Sequence, residues 1–292
     1  MKMSDFEITK IKFGDKAYPK ALLKIKNPPK QIYVQGDLNL DLLKKSLAIV
    51  GSRKMTRYGA DCIDKFVADL VFEGITTISG FMYGVDTQVH QKTVDYGGRT
   101  IAVLGNGLNY LYPPENANLY TAILQNGGAV ISEYKPESKP QLWKYPARNR
   151  IVSGLTSLGV LVIEAAIRSG SLITAGLALE QGKSLYALPG PITSSVSVGT
   201  NLLIKEGKAR LVTSAFDVLG KESESKSEIK TKMPEDLAEQ EKQIWEALAR
   251  EPMNVDELSV TLDVAVAELS ATISMLALKG IVTENAGKYY LV

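Results

Sequence analysis

The sequence predicts an α/β protein with a mostly parallel sheet covered by helices on both faces, followed by a small C-terminal winged-helix domain. Two observations carry this prediction. From residue 47 onward, short apolar segments alternate with helical ones, which is typical of a parallel sheet. After a polar stretch, three amphipathic segments and a short strand pair close the chain, as in winged-helix domains.

Hydrophobic patterning places the individual elements. Apolar runs a few residues long predict buried strands at 47–50, 76–79, 100–104, 129–132, 159–164, 184–188 and 209–212. Helical segments are expected between them, near 57–73, 85–96, 115–126, 148–157, 171–182 and 200–206. In the C-terminal part, helices are expected at 237–249, 255–261 and 264–279, and strands at 281–283 and 288–292.

These elements divide the chain into four segments. Residues 1–45 are predicted to be an N-terminal lead-in, and 46–220 the sheet domain. The stretch 221–236 lacks apolar periodicity and is rich in Ser, Lys and Glu, so it is predicted to be a solvated linker. Residues 237–292 form the predicted winged-helix domain.

Charge is distributed unevenly between these segments. Residues 221–292 carry 8 Lys and Arg against 14 Asp and Glu, which leaves 26 against 18 in residues 1–220. The formal charge of the whole chain is only +2. A polyanionic partner is therefore expected to bind the first part of the chain.

The composition also limits the classes of site. Cys62 is the single cysteine and His90 the single histidine, so we expect no disulfide framework, no metal site and no cofactor. No apolar run approaches the ~18–20 residues of a membrane span, and the N-terminus lacks an apolar signal core. We therefore expect a cytoplasmic protein without membrane contact.

Small and hydroxyl residues follow the predicted strands, where parallel sheets bind ligands. Glycine lets the backbone turn tightly, and amides at a helix start favour an anion. The candidate phosphate-binding positions are Gly51, Ser52, Arg53, Ser79, Gly80, Ser169, Gly170, Ser171, Thr174, Gly199, Thr200 and Asn201.

A second group of candidates lies around the segment Lys144 to Gly190. Tyr145 is a candidate stacking platform for an unpaired base, and the alternative is an ordinary packed tyrosine. Arg148, Asn149 and Arg150 precede a helix-like run. The two arginines cannot both face inward on one helix stripe, so one is expected to contact ligand and the other to anchor structure. Lys183 directly precedes a strand, so its ammonium either reaches a phosphate or is solvated.

Residues suited to catalysis are scarce. The sequence has no GxSxG elbow and no Walker lysine loop, and Glu164 is the one carboxylate close to the candidate cluster. Asp86 and His90, four residues apart, are expected to hydrogen-bond at a helix start rather than to form a catalytic or metal pair. A binding protein is therefore favoured over an enzyme.

The last predicted helix, 264–279, has the position of a winged-helix recognition helix. Its basic residue is Lys279 at the end, and it also carries Glu268. A helix that reads duplex DNA normally needs several cationic or amide side chains. The winged-helix tail is therefore expected to bind protein rather than duplex DNA.

The order of these motifs resembles the DNA-processing protein A family (DprA, also called Smf). The resemblance runs from about residue 18 to 219 and rests on GSRKMTRYG, SGFMYGVDTQVH, TIAVLGNGLNYLYPPEN, ISEYKP, YPARNRIVSGLTSLGVLVIEA, RSGSLITAGLALEQGK, LYALPGP and GTNLLI. Two departures stand out. Phe81-Met82-Tyr83 replaces a usually small run, and Tyr145 stands where the family usually has Phe.

The resemblance implies an extended Rossmann-like fold that binds single-stranded DNA and dimerises. It also implies protection of incoming DNA during natural transformation (competence) and help in loading the RecA recombinase. The rival interpretation is a nucleotide-binding hydrolase, or a nucleotide sensor, of the lysine-decarboxylase-like Rossmann group. That group's Gly-Thr-x-x-Glu motif is incomplete here, because Gly199-Thr200 is followed by Asn201-Leu202-Leu203.

Overall fold

A computed structural model describes residues 6–220, 233–234, 237–285 and 287–291. The chain divides into two compact units, with the division after Ser223. The predicted linker 221–236 lies almost entirely outside the described residues, and so do residues 1–5, 286 and 292. Each unit is therefore described by itself.

The first unit is built on a nine-stranded sheet in the order β1-β2-β6-β5-β4-β3-β7-β8-β9. The strands from β3 to β9 are mutually parallel, and β1 and β2 add an antiparallel edge beside β6. The mostly parallel sheet of the prediction is confirmed. Strand bounds are β1 Ile8–Lys12, β2 Gln31–Gly36, β3 Ser46–Val50, β4 Thr76–Ser79, β5 Thr100–Val103, β6 Ala129–Ser132, β7 Gly159–Val162, β8 Leu185–Ala187 and β9 Arg210–Leu211.

Helices connect the parallel strands, and a short last helix follows β9. Their bounds are α1 Arg57–Phe72, α2 Val85–Asp95, α3 Ala117–Gln125, α4 Lys144–Leu155, α5 Gly170–Glu180, α6 Val198–Lys205 and α7 Ala215–Leu219. The start of α4 differs from the prediction, which began this helix at 148. The helix begins at Lys144 because Pro146, which lacks an amide donor, is tolerated in a first turn. Arg148 and Arg150 therefore lie in the second turn of α4 rather than in its first.

Strand β3 shows how the sheet separates two cores. Successive side chains on a strand point to opposite faces. Ala48 and Val50 accordingly pack into one apolar cluster, and Leu47 and Ile49 into the other. Both faces of β3 are thus covered, which explains its uninterrupted apolar sequence.

The second unit consists of α8 Glu239–Arg250, α9 Val255–Leu262 and α10 Val266–Leu278, followed by a hairpin of β10 Val282–Asn285 and β11 Lys288–Leu291. This is the predicted winged-helix arrangement. Ile244, Leu258, Leu269 and Leu276 form its core. At the start of α9, Asn254 and Glu257 form a capping box that satisfies two backbone amides.

Among the described helices, none is by itself long and apolar enough to cross a membrane. Helices α9 and α10 meet the length and composition criteria only when they are joined as a pair, which is bent by 113°.

Candidate nucleic-acid interface

A cleft of about 650 Å³ lies at the carboxyl ends of the parallel strands. The turn after β3 forms one wall and the segment after β7 the other. The chain builds β3 to β6 on one side of β3 and then returns to add β7 on the other side. Open α/β sheets bind ligands at such a reversal of strand order. Eleven of the seventeen candidate positions line this cleft: Gly51, Ser52, Arg53, Gly80, Tyr145, Arg148, Asn149, Ser169, Gly170, Ser171 and Thr174.

The turn after β3 forms the first wall. A Cβ at Gly51 would lie 2.6 Å from the Val85 side chain, so this position needs glycine for the close approach. The Ser52 hydroxyl accepts from the amide of Lys54 and donates to its carbonyl, both at 3.0 Å. The turn is thus closed by its own serine, and Arg53 and Lys54 are exposed at its tip.

A second turn, after β4, docks on the first through the backbone. Gly84 has φ +74°, and a Cβ there would lie 2.3 Å from the Ser52 carbonyl oxygen. The Val85 amide donates to that same carbonyl at 3.1 Å. Ser79 is fully buried, and its hydroxyl donates to the Ile49 carbonyl at 2.6 Å. Ser79 therefore joins β4 to β3 and does not reach the cleft.

Arg148 supports the floor of the cleft. Its side chain is only 3% exposed. Nη1 donates to the Gly80 carbonyl at 2.6 Å and to the Val103 carbonyl, and Nε donates to Asn149 Oδ1 at 3.3 Å. The guanidinium therefore ties the ends of β4 and β5 to α4.

Asp86 and His90 both lie on α2: Asp86 is half-buried and lines the cleft, whereas His90 is buried. Burial raises the pKa of Asp86 although Arg148 attracts its charge, and burial lowers the pKa of Arg148 to about 10. The Asp86 carboxylate accepts from the Met82 amide at 3.2 Å, just before α2 begins. Asp86 thus makes the predicted hydrogen bond at the helix start, whereas His90 Nδ1 pairs with the Thr100 hydroxyl at 2.7 Å. Burial lowers the pKa of His90 to about 3.

Arg150 also has protein partners. It forms a bidentate ion pair with Glu133, at 2.8 and 2.6 Å, and Nε donates to the Asn27 carbonyl at 2.9 Å. It does not line the cleft. Of the two arginines, Arg148 is therefore the one beside the cleft, yet both are committed to protein acceptors.

Tyr145 lines the cleft but presents little surface to it. The ring is 8% exposed and lies 6.0 Å from the Tyr112 ring, and a Cβ at Gly105 would come within 2.7 Å of it. Base stacking needs an open aromatic face, so the predicted stacking role of Tyr145 is corrected to that of a packed wall residue.

The start of α5 forms the opposite wall. Ser169 is its N-cap: the hydroxyl accepts from the Ser171 amide at 3.3 Å and lies 2.7 Å from the Ser171 hydroxyl. This helix start is thus partly capped by its own serine. Gly170 and Thr174 line the cleft beside it.

The candidates at the start of α6 serve the fold. The Gly199 amide donates to the Ala165 carbonyl at 2.7 Å, and the Thr200 hydroxyl donates to the Ser197 carbonyl at 3.0 Å. The Asn201 side chain accepts from the Gly190 amide and donates to its carbonyl. Gly199 thus joins α6 to the segment after β7, and Thr200 and Asn201 hold the loop between β8 and α6. None of the three lines the cleft.

Lys183 lies at the other end of the sheet, because it precedes β8 rather than following it. Its Nζ donates to the Thr156 carbonyl at 2.6 Å. Burial, and then the nearby charge of Lys24, lower its pKa. It lines a second cavity of about 570 Å³, here called the groove, with Lys20, Ala21, Lys24, Ile25, Leu40, Asp41, Leu43, Lys44, Leu155, Thr156, Ser157 and Gln181.

Three cations in the cleft are exposed and make no side-chain hydrogen bond or ion pair with the part of the chain that the structure describes: Arg53, Lys54 and Arg168. Only Arg53 is among the positions predicted from the sequence. Lys54 and Arg168 could have been found from their positions in the sequence, because they flank the glycine-serine turns of the two walls.

The two units each match a known family. Residues 9–223 match DNA recombination-mediator protein A, and residues 229–288 match the DprA winged helix domain. The chain belongs to the DNA recombination-mediator protein A family. The family resemblance predicted from the motifs is thereby confirmed.

Individual relatives agree with this assignment. The chain is 45% identical over 202 residues to protein Smf of Escherichia coli, a match that covers 69% of this chain and 53% of that protein. It is 44% identical over 206 residues to DNA processing protein DprA of Streptococcus pneumoniae, covering 70% and 71%. About half of the length of the Escherichia coli protein is thus represented here.

Two solved structures share the fold. DNA processing protein A of Streptococcus pneumoniae has a TM-score of 0.68 and 42% identity, over 73% of this chain and 74% of that one. DNA processing protein A of Helicobacter pylori, whose structure describes its single-stranded DNA binding mode, has a TM-score of 0.66 and 30% identity, over 75% and 97%.

Proposed function

We propose that this protein is a non-catalytic recombination mediator that binds single-stranded DNA in the cleft. The observation that carries the proposal is a set of three exposed cations around a cleft lined by small residues. Arg53, Lys54 and Arg168 make no side-chain hydrogen bond or ion pair with the residues that the structure describes. Arginine presents a fork of donors that suits phosphate, and lysine adds a point charge. Membership of the recombination-mediator family and the DNA-binding mode described for the Helicobacter pylori relative support the same function.

The dimensions of the cleft favour a single strand. A volume of about 650 Å³ is that of a small-ligand site, so unpaired nucleotides enter it and a duplex does not. The positive excess of residues 1–220 suits further phosphates outside the cleft. Phosphate contacts carry no base code, so binding is expected to be independent of sequence.

The carboxylates near the cleft are engaged in structure, which argues against catalysis. Glu164 is 1% exposed and accepts from both the amide and the hydroxyl of Thr56 at the start of α1. Asp86 is held by the Met82 amide beside Arg148. Asn201 has the position that follows Gly-Thr in the hydrolase motif, and its side chain is hydrogen-bonded to the Gly190 backbone. We expect no release of ribose phosphate from nucleoside monophosphates.

We further propose that the tail binds protein rather than duplex DNA. Lys279, at the end of α10, is paired with Glu241 at 2.7 Å. Met275 and Leu278 on the same helix are exposed, and Val260 on α9 is 85% exposed. These apolar side chains suit a protein partner.

The wider role in the cell is proposed from the motif resemblance. We propose that the protein acts as a homodimer in the cytoplasm, protects incoming strands in natural transformation and helps to load RecA. Light scattering of the full chain tests the dimer: a monomer mass at micromolar concentration would contradict it.

Binding of labelled oligothymidine across a salt series tests the central proposal. If the cleft and its surroundings neutralise Z phosphates, log K should fall with log salt at a slope of about −0.7Z. A duplex of the same length should bind more weakly. Equal or stronger duplex binding, or an affinity that does not change with salt, would overturn the proposal.

A further inference from the structure

We propose that Trp143 stacks on an unpaired base of the bound strand, directly outside the cleft. This inference rests on the proposed function. It assigns base binding to a residue that lies outside the YPARNR motif and is not among the residues that line the cleft. Trp143 is 62% exposed, whereas Tyr145 is 8% exposed. The open aromatic surface expected of Tyr145 is thus present two residues earlier in the chain.

The position of Trp143 in the chain is close to the cleft rim. Trp143 immediately precedes α4 and already has helical backbone angles, φ −69° and ψ −21°. Residues three apart on a helix lie on the same face. Pro146, three positions on, is exposed and lines the cleft. Trp143 therefore lies one helical turn before Pro146, a residue of the cleft rim.

Neighbouring residues hold the platform in place. The Trp143 ring packs nearly perpendicular to the Tyr134 ring, with centroids 6.1 Å apart and an interplanar angle of 88°. Lys144 Nζ lies 5.8 Å from the Trp143 ring centroid and 4.8 Å from that of Tyr134. Lys144 is 5% exposed and donates to Ser138 Oγ and the Lys139 carbonyl, both at 2.8 Å. A ring that is already ordered loses little conformational freedom when it binds.

The surroundings suit nucleic acid. The Lys139 carbonyl accepts from Lys144 Nζ. The Lys139 side chain is exposed and has no partner among the described residues. A stacked base brings its phosphates near such a cation. Stacking on an aromatic ring tolerates any base, as a protein that binds strands of any sequence requires. The neighbouring Leu142 is 88% exposed and enlarges the apolar surface, which also suits a protein contact. The adjacency to the cleft favours the base.

Two measurements on the full chain test this assignment. The chain has two tryptophans, so in Trp245→Phe the emission comes from Trp143 alone. Oligothymidine should quench this emission. In the second measurement, Trp143→Ala should weaken binding of oligothymidine about tenfold, within the range that base–aromatic stacking contributes. The same variant should bind an abasic oligomer of equal length as tightly as the unchanged chain does, and Trp143→Phe should retain most of the affinity for oligothymidine.

Leu142→Ala is the matched control, because it removes an adjacent exposed apolar side chain without removing an aromatic ring. It should change oligothymidine binding less than about twofold. Three results would each overturn the assignment: unchanged oligothymidine binding by Trp143→Ala, an equal loss for the abasic oligomer, or a change in oligomeric state by light scattering, which would make the patch a protein contact. If the unchanged chain binds neither oligomer, the proposed function fails and this inference fails with it.

Discussion

The cleft and the groove both collect basic side chains at an end of the same sheet, but their surroundings differ. In the cleft, Arg53 and Arg168 are exposed, lack protein partners among the described residues and stand beside glycine-serine turns. In the groove, Lys183 donates to the Thr156 carbonyl, and apolar side chains such as Leu43 and Leu155 line the same cavity. The number of cations is similar in both places. The groove also has exposed lysines, Lys20 and Lys24, so the difference is in the lining: glycine-serine turns in the cleft and apolar side chains in the groove.

The difference comes from the direction of the strands. Residues that follow a parallel strand reach the edge where turns expose backbone amides, and residues that precede one reach the opposite edge. Arg53 follows β3, and Lys183 precedes β8. Two basic residues that look equivalent in the sequence are therefore separated by the length of the strands.

The largest effect is expected on the free energy of unfolding, when Arg148 under the floor of the cleft is removed. Arg148→Ala leaves the Gly80 and Val103 carbonyls without their donor and Asp86 without its opposite charge. Leaving two buried carbonyls and a nearby carboxyl without this guanidinium costs about 3–5 kcal/mol of unfolding free energy. Urea unfolding measures it. Arg210→Ala, at an exposed arginine, should change the same quantity by less than about 0.5 kcal/mol. A decrease below about 1 kcal/mol in Arg148→Ala would mean that the guanidinium does not support the floor.

The next largest effect is expected on DNA binding, and it is measured with double variants at the two ends of the sheet. Arg53→Ala with Arg168→Ala should weaken oligothymidine binding at least about tenfold, because each guanidinium donates charged hydrogen bonds to phosphate. The salt slope should become shallower by about 0.7 for each phosphate that the variant no longer neutralises. Lys24→Ala with Lys183→Ala removes the same number of charges from the groove and should leave the slope unchanged. Equal decreases in affinity in the two double variants would show that both ends bind DNA.

A smaller effect is expected from His90, which packs behind the second turn of the cleft, 5.8 Å from Phe81. Its pKa is about 3 in the folded chain against an ordinary 6.5. As pH falls below 6.5 the unfolded chain binds a proton that the folded chain does not, so the free energy of unfolding falls by up to about 1.4 kcal/mol per pH unit from this group. Urea unfolding between about pH 7 and pH 4.5 should give a shallower pH dependence for His90→Gln. Parallel curves for the two proteins would refute this cause.

The smallest effect is expected from Tyr145→Phe. Its hydroxyl makes no hydrogen bond with the residues that the structure describes, and the ring packs as a wall. Oligothymidine affinity should stay within about twofold of that of the unchanged chain, since the aromatic ring is retained in the variant. A decrease as large as that of the arginine pair would give the hydroxyl a contact with DNA.

Much of the fold could be predicted from the sequence because it depends on local patterns. The buried strands 76–79 and 129–132 have the predicted bounds, because a short continuous apolar run is typical of a strand that is covered on both faces. Strand β1 could not be predicted, because ITKIK is half-exposed and its pairing with β2 is set across a long connection. The turns of the cleft could also be predicted from a local pattern, because glycine and serine directly follow a strand.

The roles of the arginines could not be predicted, because their acceptors are distant in sequence. Arg148 donates to Gly80 and Val103, which are 68 and 45 residues away. Arg150 pairs with Glu133 and Asn27, which belong to different connections. No local pattern distinguishes such an internal cation from one that is free to bind DNA. The burial of Tyr145 depends in the same way on Gly105 and Tyr112.

The backbone contact between the two turns restricts how this part of the chain can change in length. Gly84 lies against the Ser52 carbonyl with no room for a side chain, and the Val85 amide binds that same oxygen. An insertion or deletion in either turn would shift one backbone against the other and separate them. Length variation among homologues should therefore fall outside 51–54 and 80–85. A grafted version of the cleft would need both turns to be transferred together with Gly84.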